Sequence, residues 1–454
     1  MNPWPKMPET DETHDEAVIE LYQRSRDIAE LAVTVESSPH ADFDRKLDDA
    51  LTSRALGIPI MIALLGAVFW ITVVGANYPS QLLAKALFWG EAKLSAAFIT
   101  INAPQWLHGV VVLGAYRTLA WVVAVMLPPM AIFFPCFTLL EDLGYLARIT
   151  FNMDWLFKKC GAHGKQALTM AMGFGCNAAG VTACRIIDSP RERLIAILTN
   201  NFAPCNGRFP TLIVLASFIT AAITGPRLRS GMASLLVVAA VALGICTTLI
   251  VSWALSKTLL VGMPSSFILE LPPYRKPQIL PVLIRSIYDR TLHVLWRAMV
   301  VAAPAGAIVW ILGNLVIEGR PAIIHMSTFL QPLGHAMGLD GFILTAFIVG
   351  LPANEIVLPL LIMCYTSSST LVEVEGMIHL SETLAANGWT WLTAVCTMVF
   401  SVLHYPCSTT LITIWRETES RKWTVLSALI PLATAVVTCC IIASAARFCG
   451  LAPL

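Results

Sequence analysis

The sequence predicts an all-α polytopic membrane protein. Its two inverted-topology repeats carry broken or re-entrant helices, with roughly 7–9 transmembrane helices in all. Three observations lead there. Of 454 residues, 56% are hydrophobic and only 13% charged, and the mean hydropathy is +0.70. That balance belongs to a bilayer protein and excludes an ordinary soluble enzyme. Apolar runs of about 20 residues, the length a bilayer requires, recur along the chain. Finally, small and polar residues interrupt these runs at a repeating interval. A shift of 177 lays Gly161 on Gly338, Gly164 on Gly341, Gly173 on Gly350 and Asn177 on Asn354, with Glu141 on Glu318. Further on the shift becomes 202, and Pro204-Cys205 meets Pro406-Cys407.

Residues 1–54 hold 13 acids and 6 bases, although the whole chain carries a net charge of +1. They read as an acidic cytoplasmic helical segment, with one helix over Asp11–Val35 and a second short one within Phe43–Ser53. No secretory signal precedes the first span. Residues 55–117 contain that span, at Leu56–Ala76. The stretch 78–116 follows, broken by Trp89, Glu91, Lys93, Pro104 and His108, and reads as interfacial helices.

Residues 118–256 form the first repeat. Its parts are a span at Thr118–Leu140, an amphipathic stretch, an interrupted segment within His163–Ala183, a kinked span at Arg191–Ile223 and a plain span at Gly231–Ser256. Residues 257–296 read as a cytoplasmic loop rich in Pro, Arg and Lys. Residues 297–454 repeat the pattern, with spans at Arg297–Ile317, Trp391–Ile414 and Trp423–Ser444 and an interrupted segment at Phe342–Cys364. Each repeat crosses three times, so the two halves run in opposite directions. A cytoplasmic N-terminus places most loop bases inside, at 141–193, 257–297 and 416–422; this is the expected bias.

The chemistry collects at the interruptions. In Met172–Gly180 (MGFGCNAAG), Gly173 and Gly175 weaken a helix, and the Asn177 amide needs a partner in hydrocarbon. Irregular backbone at that depth is tolerated where it lines a protected cavity. Four stretches are expected to converge: Gly173–Gly180, Pro204–Arg208, Pro352–Glu355 and Pro406–Thr409. They offer Cys176, Asn177, Cys205, Asn206, Asn354, Glu355, Cys407, Ser408 and Thr409. This mixed soft and hard donor set suits a divalent transition metal better than Mg2+ or Ca2+. Each residue also has a plainer reading. The thiols can be small packing groups and the amides helix caps. Glu355 can pair with Arg208, which alternatively closes a gate. His404 can be a ligand or a structural ring. The twelve cysteines form no CxxC pair, so neither a disulfide framework nor a structural zinc site is indicated.

At these residues the sequence resembles the membrane part of the FeoB ferrous-iron transporter family. The likeness is carried by LEDLGYLARITFNMDWLFKKCGAHGK, MGFGCNAAG, IDSPRERLIAILTNNFAPCNGRFP, ILELPPYRKP, GLPANEIV and HYPCSTTLITIWRETESRKW, in order over about residues 45–454. LTSRALGIPI is similar to the approach to the family's first span. The resemblance implies Fe2+ uptake across the bacterial cytoplasmic membrane through two inverted gate regions, with Cys176, Asn177, Cys205, Arg208, Pro210, Glu355 and Cys407 at gate positions. Gly173, Gly175, Asn354 and Pro406 are supporting positions. CNAAG stands where the family has CNVPA, and PANE where it has PAKE. The family's N-terminal GTPase domain has no counterpart in these residues, which contain no GxxxxGK[ST] phosphate-binding loop.

The expected function is therefore transport of a divalent metal, Fe2+ above others, as substrate and with no bound cofactor. The alternatives are transport of an organic solute such as a nucleoside, and a non-transporting membrane scaffold. An enzyme is not indicated, since no nucleophile–base pair or HExxH stands out. Expected partners are the lipid bilayer, the metal ion, a separately encoded GTPase or small regulatory protein, and a second copy of the chain. No nucleic acid is expected.

Overall fold

The computed structural model describes residues 11–32, 47–53, 56–223, 229–262, 279–366, 371 and 377–450. The described residues are helical almost throughout, apart from a β-ribbon with two residues in each strand, pairing Val316–Ile317 with Arg320–Pro321. Among the described residues seven helices are long and apolar enough to cross a membrane. In chain order the helices are α1 (Asp11–Ala32), α2 (47–52), α3 (Gly57–Thr100), α4 (Gln105–Asp142), α5 (Tyr145–Lys159), α6 (Gln166–Gly175), α7 (Asn177–Ala183), α8 (Pro190–Thr199) and α9 (Phe209–Ile223). There follow α10 (Arg229–Lys257), α11 (Ile279–Asn314), α12 (Ala322–Ala336), α13 (Gly341–Val349), α14 (Val357–Thr366), α15 (Met377–Ala386), α16 (Trp391–Leu403), α17 (Ser408–Thr418) and α18 (Arg421–Phe448). A π-helical stretch lies within α4 at Gly109–Tyr116 and within α11 at Ser286–Leu292.

The internal repeat is present in the backbone. Shifting α5 by 177 residues lands on the bounds of α12, Ala322–Ala336. Both helices end in a left-handed glycine, Gly161 at φ 68° and Gly338 at φ 71°, a conformation glycine adopts without a Cβ penalty. The next turn repeats as well. Asp154 Oδ1 accepts from the Gly164 N–H at 3.2 Å, and Gln331 Oε1 accepts from the Gly341 N–H at 2.7 Å. α12 and α13 meet at a bend of 113°. The largest buried cluster gathers residues of α9, α11, α13, α14 and α16, so the core lies mainly in the second half and where the halves meet.

Residues 78–100 continue the helix of the first span, and residues 105–116 open the next one. α3 runs unbroken for 44 residues, about 66 Å at 1.5 Å per residue, and turns into α4 to make a long antiparallel hairpin. Polar groups along this stretch meet one another within the hairpin. Arg117 lies 3.9 Å from Glu91, Lys93 covers the Trp89 ring, and the Tyr116 hydroxyl donates to the Leu87 carbonyl. At the other end of the hairpin, buried Arg148 donates to the Asp48 carboxylate at 2.9 and 3.3 Å, and the Asn152 amide donates to the Leu51 carbonyl. The acidic N-terminal segment is thereby tied to α5.

His163, in the loop before α6, is the repeat counterpart of Asp340. Its Nδ1 accepts from the Lys165 N–H at 3.0 Å, which requires the neutral ring. Burial lowers its pKa, opposed by the nearby acids Glu192, Asp154 and Asp188. A depressed histidine binds fewer protons folded than unfolded. Its contribution to stability is therefore complete above the usual value of about 6.5 and is lost as pH falls toward the folded value. Thermal midpoints in detergent between pH 5 and 8 are expected to converge for wild type and His163→Asn at the acid end and to separate at neutral pH. Parallel curves would show that the ring's protonation does not matter.

Candidate functional site

Each repeat breaks its helix in the same way. Cys176 separates α6 from α7 in extended conformation, φ −152° and ψ 123°. Its counterpart Ala353, before α14, has φ −153° and ψ 123°. The second pair of breaks also matches: Cys205 has φ −76° and ψ 166°, and Cys407 has φ −64° and ψ 160°. Helix ends leave backbone N–H and C=O groups without intrahelical partners, so four breaks at one depth create a polar centre in an apolar body. The breaks are stitched together. The Ser408 N–H and hydroxyl both donate to the Leu351 carbonyl, at 2.9 and 3.2 Å.

A small cavity of about 30 Å³ lies where the four breaks meet, and Cys176, Asn177, Cys205, Asn354, Glu355 and Cys407 all line it. Asn354 Nδ2 faces Cys205 Sγ at 3.9 Å, and Cys407 Sγ lies 3.2 Å from Thr410 Oγ1. Glu355 forms no ion pair among the described residues, and its carboxylate lies against Gly207, where a Cβ would collide with it. No three Cys, His, Asp or Glu side chains among the described residues stand in metal-holding geometry as they are. The donors share a cavity without forming a finished coordination shell.

Arg208 does not pair with Glu355. Its guanidinium is buried, and its two terminal nitrogens go mainly to backbone carbonyls. Nη1 donates to the carbonyls of Asn201 and Val402, both at 2.9 Å. Nη2 lies 3.0 Å from Asn201 Oδ1 and 3.3 Å from the carbonyls of His404 and Tyr405. Arg208 thus ties the break of the first repeat to that of the second. Asn177 is held similarly: in the amide orientation that satisfies its surroundings, its nitrogen faces the carbonyls of Gly173, Asn200 and Ala203 at 3.2, 3.3 and 3.1 Å.

The remaining expected residues divide by position. Gly175 lines the cavity, and a Cβ there would strike the Phe133 ring. Gly173 lets the Asn200 amide approach closely. Pro406 is buried at the second break. Pro210 is exposed in the first turn of α9, where proline suits a helix start, and does not reach the cavity. His404 is structural: its Nδ1 bonds to the Phe400 and Ser401 carbonyls, and its ring stacks on Phe400.

Sequence reasoning missed four contributors. Asn201 donates to the His404 carbonyl at 2.6 Å, and Asn200 to the Asn177 carbonyl at 3.2 Å. Met126 and Met130, one turn apart on α4, put thioethers on the cavity wall. An Asn-Asn pair ahead of a Pro-Cys break, and a methionine pair flanking Pro128-Pro129, were the available signals.

Comparison with known proteins agrees with this anatomy. The family model described as "Gate: Nucleoside recognition" matches residues 123–222 and 295–421, which together make half of the chain. The model described as "Ferrous iron transport protein B C terminus" matches residues 237–289. The "Fe(2+) transporter FeoB" of Staphylococcus aureus (strain MSSA476) is 30% identical over 407 residues, covering 87% of this chain and 58% of that protein. The protein of the same name from Methanocaldococcus jannaschii is 28% identical over 417 residues, with the same coverage. A "Fe(2+) transport protein A/Fe(2+) transporter FeoB fusion protein" of Porphyromonas gingivalis is 25% identical over 429 residues, covering 84% of this chain and 49% of that protein. The chain therefore spans between about half and three-fifths of the length of these relatives. No solved structure matches it. With half of its length in the gate model, and both breaks of each repeat inside the matched residues, the chain belongs to the Gate family and is a FeoB-like membrane region.

Proposed function

We propose that this chain carries Fe2+ across the bacterial cytoplasmic membrane, with its N-terminus on the cytoplasmic side, through the cavity between the four breaks. The observation that carries this reading is the convergence of three thiols, one carboxylate and three amides on about 30 Å³ of space. That volume accommodates a largely dehydrated ion, whereas pockets for organic ligands run to roughly 300–1,000 Å³. A nucleoside does not fit this small cavity, although the gate model's description mentions one. Borderline-soft Fe2+ suits thiolate and thioether donors beside a carboxylate better than Mg2+ or Ca2+ does. The unfinished coordination suits cargo that must leave again. The relatives' names support Fe2+ as substrate. The relative fused to a "Fe(2+) transport protein A" supports a small protein partner.

The test is uptake into proteoliposomes under reducing conditions, with Fe2+, Mn2+ and Zn2+ offered separately and a labelled nucleoside as control. Fe2+ uptake is expected, and it should fall by about tenfold or more in the Cys176→Ser, Cys205→Ser double variant, given the usual sensitivity of metal sites to their donors. Nucleoside uptake, or Fe2+ uptake indifferent to both thiols, would sink the proposal.

A further inference from the structure

A second and much larger cavity, about 420 Å³, opens between the ends of α4, α7 and α17 and the middle of α11. It meets the small cavity at Val294, which lines both. Its walls carry Arg185, Arg297, Arg416 and His293 against two acids, Glu141 and Glu417. Arg185 and Glu417 neutralise each other through two bonds at 2.7 and 2.8 Å. Two guanidiniums and an imidazole then remain against Glu141.

Arg297 is positioned rather than loose. Its Nη2 donates to Thr413 Oγ1 at 2.5 Å, which fixes the guanidinium against α17. Arg297 lines the open cavity, and a guanidinium fixed in this way suits a carboxylate or phosphate oxyanion. Exposed Arg416 stands on the same cavity wall system and acts on Arg297 as a like charge, an arrangement that an anion between them relieves.

We infer that this cavity is a seat for a soluble oxyanion of the carboxylate or phosphate class, held by Arg297 and Arg416. The anion serves as acceptor for the cation leaving past Val294. A bare divalent cation entering this cavity is repelled by the two guanidiniums; one met by a multivalent anion is not. The seat itself stands independently of the transport reading, while the acceptor role rests on it.

Two measurements separate the parts. First, purified protein in an uncharged detergent, without metal, is titrated with orthophosphate or citrate, and its thermal midpoint is followed against chloride at matched ionic strength. Both oxyanions are expected to raise the midpoint saturably. Arg416→Gln, an exposed position that folding tolerates, and Arg297→Gln should each weaken the apparent affinity at least tenfold. Lys422→Gln, outside the cavity, should not. An equal effect of chloride, or wild-type affinity in both arginine variants, overturns the seat. A response only to phosphatidylglycerol in nanodiscs, with none to soluble phosphate or citrate, assigns the arginines to a lipid headgroup and overturns the soluble anion. Second, citrate enclosed in proteoliposomes should speed initial Fe2+ uptake several-fold in wild type and not in Arg416→Gln. Binding without acceleration removes the acceptor role alone. Absence of any Fe2+ uptake defeats the transport reading and leaves the binding result standing.

Discussion

Replacing Arg208 with methionine is expected to leave little or no stably folded protein. The side chain fits the volume of the site, so the loss is not one of packing. What disappears is a charged hub with five hydrogen-bond contacts to Asn201, Val402, His404 and Tyr405. Hydrogen bonds to a charged group contribute about 1.5–3 kcal/mol each, and a buried acceptor left alone costs about 1–3 kcal/mol. The accepting carbonyls sit at a helix break, so no helical N–H can replace the guanidinium. Even a partial loss is large against a total stability of about 5–15 kcal/mol. Arg208→Lys should recover little, because one ammonium lacks the planar fork that spans four residues. The yield of monodisperse protein and its thermal midpoint decide the matter. A midpoint within a few degrees of wild type would show that the acceptors find other partners.

Such a hub also bears on movement. Arg208 and the Ser408–Leu351 bonds make the four breaks one cross-braced body. Among the described residues the cavity wall supplied by α4, through Met126 and Met130, has no such hydrogen bond to it, whereas α11 is tied to α17 through Arg297 and Thr413. The α4 wall is therefore the less restrained of the two.

Legibility in the sequence followed the physical cost of each feature. The 177-residue repeat was readable because it is carried by residues with few substitutes. Gly161 and Gly338 hold positive φ, and Asn177 and Asn354 stand directly after equivalent extended breaks. The cavity donors were readable because thiols and a carboxylate are conspicuous beside prolines in an apolar run. Arg208 was visible, but its partners were not. All but the Asn201 amide oxygen are main-chain carbonyls, which every residue owns, so a partner was sought among the acids and Glu355 was the nearest in kind. The pairing inside the α3–α4 hairpin was hidden for a related reason. Charges among apolar residues read as an interface, and nothing in the sequence shows that Glu91 and Arg117 face each other across two helices. Met126 and Met130 looked like ordinary span residues, because a thioether pointing at a cavity and one pointing at lipid have the same spelling.

Glu355→Gln is expected to separate function from stability. The substitution keeps shape and removes only the charge. Gly207 presses on this carboxylate, and no cation is bonded to it among the described residues. A charge so placed is costly unless it is paired. Neutralising it should therefore leave the thermal midpoint unchanged or raise it, by an amount on the order of 1 kcal/mol after relaxation. Transport should move the opposite way. Glu355 is the one formal negative charge lining the cavity that the thiols share, and charge neutralisation is what draws a divalent cation out of water into apolar surroundings. Initial Fe2+ uptake at subsaturating concentration should fall about tenfold or more, equivalent to at least ~1.4 kcal/mol of lost attraction. A residue retained for structure would behave otherwise: its loss would lower the midpoint first and uptake only in proportion to the folded protein remaining. Measuring both quantities on one preparation discriminates the two cases. A lowered midpoint with uptake per folded molecule unchanged would show that Glu355 braces the break and does not meet the ion.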